Sequence, residues 1–141
     1  MSTPVLLVRF RSEPEHAAVL LDVDGTLAPI VERPEDAVVP EGTRAEVARL
    51  AGRYGLVACI SGRPSADARR IVGLDGIEYV GVHGLETDPE ARSFASQLEA
   101  FAERIAWPWT VESKAGVTLS FHYREADDEQ EGATQEFFHG R

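Results

Sequence analysis

The sequence predicts an α/β fold, a partial doubly wound parallel sheet followed by the start of an α+β module. Apolar runs of strand length recur at residues 19–23, 56–60 and 77–82, with helical material in each interval. Strand, helix, strand, helix, strand is the order that winds a parallel sheet. After residue 93 that repeat gives way to one helical pattern and one alternating hairpin pattern, which marks a second module.

The first run, Val19-Leu20-Leu21-Asp22-Val23, consists mostly of β-formers and stops at Gly25, where the backbone must turn. A loop from Pro29 to Pro40 leads into a helix over 41–53, where Val47, Leu50 and Ala51 share a face and Gly52 and Gly55 mark the exit. The second strand is 56–60. A helix over 64–72 follows, with Pro64 suited to its first turn and Gly73 to its end. The third strand is 77–82. Phe94, Leu98, Phe101 and Ile105 then recur at helical spacing. Strands over 109–112 and 117–123 flank Lys114-Ala115-Gly116, and Val117, Leu119, Phe121 and Tyr123 alternate with Thr118, Ser120 and His122. The expected division is therefore a core at 1–90, a partial module at 91–124 with a linker near 87–92, and an acidic, poorly ordered tail at 125–141.

Composition narrows the function. A chain of 141 residues can bury one moderate core. Its 24 acidic against 14 basic residues give a formal charge of -10, which argues against a nucleic-acid partner. A phosphate ester is still compatible, if a bound cation and local basic residues reverse the field. Cys59, the one cysteine, lies in an apolar run and reads as a core residue, so no disulfide framework exists and a cytoplasmic location is expected. The apolar stretch at 4–8 is interrupted by Arg9 and Arg11, so neither a leader nor a membrane span is expected.

Asp22 and Asp24 stand at the carboxyl end of the first strand, two residues apart, as do Ser61 and His83 at the ends of the other two. Ligands of parallel sheets sit at such ends. Two acids in one cleft can share a divalent cation and divide nucleophilic and acid/base work; alternatively, each caps a local amide in an Asp-Gly turn. Ser61 can hold a phosphate oxygen or cap the next helix. Arg63 can be a phosphate ligand or a surface charge. The glycines around His83 suggest a close approach to a ligand, and Glu86 either joins that cleft or solvates a turn. Glu112, Lys114 and Arg124 are sugar-binding candidates or a solvated hairpin face. Trp107 and Trp109, flanking Pro108, read as packing residues before sugar-stacking ones.

Taken together, these blocks resemble the trehalose-6-phosphate phosphatase family of the haloacid dehalogenase superfamily. The resemblance rests on Leu21-Asp22-Val23-Asp24-Gly25-Thr26-Leu27-Ala28-Pro29-Ile30, Ile60-Ser61-Gly62-Arg63, Gly81-Val82-His83-Gly84-Leu85-Glu86, Val111-Glu112-Ser113-Lys114 and Phe121-His122-Tyr123-Arg124. It covers residues 19 to about 124, in order and at similar spacing. It implies that Asp22 is a nucleophile forming a phosphoaspartate and that Asp24 is the acid/base. Backbone amides of Val23 to Thr26, with Ser61, Gly62 and Arg63, would bind phosphate. His83, Glu86, Glu112, Lys114 and Arg124 would contact substrate, and magnesium would bridge Asp22 and the phosphate, with the Asp24 backbone carbonyl as a further ligand. The implied partner is a sugar phosphate, trehalose 6-phosphate foremost.

Family members carry two further core elements after the cap, a lysine and a Gly-Asp-Asp-type turn that completes the metal site. Asp127-Asp128 follows no apolar strand and is not expected to replace that turn. The chain is therefore expected to be a truncated form with little activity alone, its first strand left at a sheet edge where self-association can occur. Two alternatives stand beside this reading: a phosphatase of the same superfamily for another sugar phosphate, and a non-catalytic module that binds a sugar phosphate or pairs with another subunit.

Overall fold

Residues 5–105 and 110–122 are described by a computed structural model. Trp107, Trp109, Tyr123, Arg124, Asp127-Asp128 and the expected tail lie outside the described residues. The chain divides into two compact units between Asp88 and Pro89.

In the first unit, helix α1 (Val5–Ser12) and a 3-10 turn (Pro14–His16) lead into β1 (Ala18–Leu21). A second 3-10 turn (Pro34–Asp36) precedes α2 (Glu41–Ala51), β2 (Leu56–Ile60), α3 (Ser65–Val72) and β3 (Glu78–Val80). The three strands are parallel, in the order β1-β2-β3, with Leu21 beside Cys59 and Cys59 beside Tyr79. Period-two alternation puts Val19, Leu21, Val57, Cys59 and Tyr79 on one face. They form one cluster with Val47 of α2 and Ala68, Ile71 and Val72 of α3. Both crossover helices thus cover the same face, and on the other face Leu20 and Leu56 are 58% and 42% exposed. Burial pushes the Cys59 thiol above its ordinary range, which keeps it neutral and suits a core residue.

Arg44 joins two parts of this layer. Its Nε donates to the Val72 carbonyl at 2.8 Å and Nη2 donates to Val39 at 3.3 Å, fastening the end of α3 to the entry of α2. Arg44→Met keeps the apolar stem but leaves both carbonyls without this donor. We expect a loss of about 2 kcal/mol in urea-unfolding free energy.

The second unit holds α4 (Pro89–Ser93), α5 (Ala95–Arg104) and an antiparallel hairpin of β4 (Val111–Lys114) and β5 (Thr118–Phe121). Phe101 of α5 meets Phe121 of β5 edge to face, with centroids 6.3 Å apart. Ala115 and Gly116 turn the hairpin with positive φ, as the Lys114-Ala115-Gly116 stretch predicted.

Three expectations need correction. The first strand stops at Leu21, two residues early, because Val23 belongs to the following turn. The boundary between the two units falls within the expected linker near 87–92, but most of that stretch is helical, in α4 (Pro89–Ser93). Every residue of β5 is half-buried, so within that strand the alternation does not separate a buried from an open face.

Candidate active site at the strand ends

The turn after β1 is built around one carbonyl. Val23 is fully buried, and its carbonyl accepts the amides of Thr26, Leu27 and Ala28 at 3.4, 3.0 and 2.9 Å. The Gly25 amide donates to the Ala28 carbonyl at 2.8 Å, with Gly25 at φ 84. Two of the four amides expected to cradle phosphate, those of Gly25 and Thr26, are therefore spent inside the loop. Asp22 is exposed at the end of β1 and Asp24 is half-buried in the turn, so extended-chain geometry does not set their relation.

Arg63, expected on the phosphate, is turned on Asp24 instead. Its Nε donates to Asp24 Oδ2 and its Nη2 to Oδ1, each at 2.8 Å, while Nη1 donates to the Pro34 carbonyl at 2.9 Å. Two parallel charge-assisted bonds fix the carboxylate plane as well as its position. Ser61 does not cap α3, whose N-cap is Pro64; it makes a local turn contact. It is 1% exposed, and its Oγ accepts the Arg63 amide at 3.1 Å.

The third strand end is strained. Val82, His83 and Gly84 have φ of 48°, 53° and 97°, and a left-handed β-branched residue such as Val82 is a conformational outlier. Such strain collects at functional sites. The His83 amide donates to the Ser61 carbonyl and the Val82 amide to that of Arg63, both at 2.9 Å. Gly62 seats the His83 ring, since a Cβ there would stand 2.9 Å from Nε2. Glu86, expected in the substrate cleft, reaches the start of α3, where Oε2 accepts the Ser65 amide at 2.8 Å. Gly81 lies against this contact. The close approach that its glycine signals is therefore by Glu86 and the helix terminus. Backbone and side chains together bind the three strand ends into one surface.

In the second unit, Glu112 Oε2 lies 3.1 Å from His122 Nε2 and 3.7 Å from Lys114 Nζ. His122 was not foreseen as a partner of Glu112. The signal was available, because Ser120 faces Glu112 across the hairpin and His122 is two residues on.

The Asp22 carboxylate and the Asp24 main-chain carbonyl are hard oxygen donors of the kind that magnesium takes. Among the described residues no group of three His, Cys, Asp or Glu could hold a metal. The described residues thus fit magnesium in donor type but supply few of the six ligands it prefers. No described helix is long and apolar enough to cross a membrane.

A profile of the trehalose-phosphatase family matches residues 20–115. A trehalose-phosphate phosphatase of Mycobacterium avium is 48% identical over 71 residues, which are 50% of this chain and 18% of that protein. One of Mycolicibacterium paratuberculosis is 36% identical over 131 residues, covering 83% of this chain and 33% of the other. The solved C-terminal domain of trehalose-6-phosphate phosphatase from C. albicans superposes with a TM-score of 0.63 at 23% identity, over 94% of this chain and 51% of that one. At that identity the likeness shows the fold alone. The chain spans about half the length of that structure and a third or less of the two bacterial relatives.

Proposed function

Because the chain belongs to the trehalose-phosphatase family, we propose that it carries the nucleophile half of a hydrolase that releases phosphate from a disaccharide phosphate, trehalose 6-phosphate first. The observation that carries this reading is the pair of acids on the turn after β1, one exposed and the other gripped by Arg63. Asp22 attacks phosphorus, the bond from phosphorus to the sugar oxygen breaks, and Asp24, which in its acid form keeps one oxygen on Arg63 and carries the proton on the other, gives the sugar oxygen that proton. Asp24, now a carboxylate, then takes a proton from water as the water oxygen attacks the phosphoaspartate. The acyl-phosphate P–O bond breaks and free Asp22 and phosphate result. The amides of Val23 and Asp24 orient the phosphoryl oxygens. Asp22 and the Asp24 carbonyl would hold magnesium, which when bound offsets the negative charge gathered there.

In this reading Glu112 and Lys114, with Arg124, grip sugar hydroxyls. His83 follows β3 with a left-handed backbone, which supports reading it as a substrate contact. The single buried Cys59 supports a cytoplasmic location. Turnover by residues 1–141 alone is expected to be slow, because the described residues provide few of the oxygens that magnesium prefers.

The test is phosphate release from a panel of sugar phosphates by the magnesium-loaded chain. Trehalose 6-phosphate should be preferred by at least about tenfold, the worth of one or two lost sugar contacts. Equal or faster release from sucrose phosphate or mannosylglycerate phosphate would instead favour the alternative phosphatase reading.

A further inference from the structure

Arg63 is poorly placed for the phosphate and well placed for something else. Its side chain is 16% exposed, against 38% for Asp24, so the fork is mostly withdrawn from solvent. Three of its N–H groups are spent, two on Asp24 and one on the Pro34 carbonyl. Its own backbone is fixed as well, because its amide donates to buried Ser61 Oγ and its carbonyl accepts the Val82 amide. A residue held at both main-chain groups presents a planar fork in one orientation. We propose that Arg63 is a positioning residue, which sets the Asp24 carboxylate and fastens it to Pro34, so that the 29–40 loop and the acid/base group are held as one unit.

This rests on the reading of Asp24 as acid/base, and it gives the loop from Pro29 to Pro40 a role that its sequence did not suggest. Positioning depends on fork geometry, whereas phosphate binding depends chiefly on charge. Lysine keeps the charge and lacks the fork, so Arg63→Lys separates the two roles.

The first measurement needs no turnover: the Arg63 Nε–H resonance of the nitrogen-15-labelled 141-residue chain, followed on Asp24→Asn and on titration with inorganic phosphate and magnesium. The expected result is a resonance that moves on Asp24→Asn and stays in place with phosphate. Movement with phosphate, or indifference to Asp24→Asn, overturns the proposal. The second measurement is kinetic. Arg63→Gln and Arg63→Lys should both lower kcat about 100-fold, the scale of a misplaced catalytic group, with KM within about twofold. Restoration of kcat by lysine, or a raised KM with kcat intact, overturns it. Failure of the wild-type chain to release any phosphate counts against the hydrolase reading and leaves the resonance to decide this one.

Discussion

Gly81→Ala is expected to lower the stability of the first unit by about 3 kcal/mol or more, seen as a fall of about 15 °C in thermal midpoint. A methyl group on this residue would run into Glu86 Oε2 and the Ser65 amide nitrogen, and would stand 2.9 Å from the Pro64 carbonyl carbon. Two of those three atoms are backbone at the start of α3 and cannot swing away. The substitution must break the bond from Ser65 to Glu86, push the helix terminus off β3, or both. Gly42→Ala is the internal control. Gly42 lies in α2 with open space around it, so alanine there should be neutral or stabilise by about 0.5 kcal/mol. If both variants melt within a degree or two of wild type, the contact at Gly81 is not tight.

Asp22→Asn is expected to do the reverse, leaving the fold intact and removing the chemistry. Its side chain is exposed at the end of β1, and surface substitutions of this kind move stability by about 0.5 kcal/mol or less. Phosphate release should fall at least about 1,000-fold, because an amide oxygen cannot serve as the phosphoryl acceptor. A covalent phosphoryl label, sensitive to hydroxylamine, should appear on wild type and be lost from the variant. That label needs only the first half-reaction, so it remains informative when full turnover is slow. Equal labelling of the two proteins would remove Asp22 as the nucleophile.

The sheet was legible where burial alone decides structure. Leu56–Ile60 is an unbroken apolar run between Gly55 and Ser61, and β2 occupies it from end to end. The αL residue Gly73 closes α3 as expected, with φ 66. Reading failed where burial and secondary structure part company. Val23 was counted with the strand because it is apolar, yet it is buried as the hub of a turn. Helix α1 was missed because its apolar stretch is short and broken by Arg9 and Arg11. The left-handed run at Val82–Gly84 runs against the preference of valine, and only contacts to the neighbouring strand ends can hold it there.

At the site, residue types were legible and side-chain directions were not. Asp22, Asp24, Ser61, Arg63, His83 and Glu86 do come from the three adjoining strand ends. What spacing could not convey is that Arg63 would choose a carboxylate 39 positions earlier over open space, or that Glu86 would cap α3. Both choices follow from the donor and acceptor groups left unsatisfied at strand and helix ends, a count that is available only once the strands lie side by side.

Among the described residues, β1 pairs on one flank only, with β2. In a parallel strand alternate residues point their N–H and C=O groups to opposite flanks, so half of the main-chain groups of β1 face away from the sheet. Amide protons of β1 should therefore exchange with deuterated solvent well before those of Val57 to Cys59, by local fraying that leaves the middle strand undisturbed. Asp22, the proposed nucleophile, then hangs from the part of the sheet expected to breathe first, and whatever covers that flank would slow the breathing and steady that side chain together.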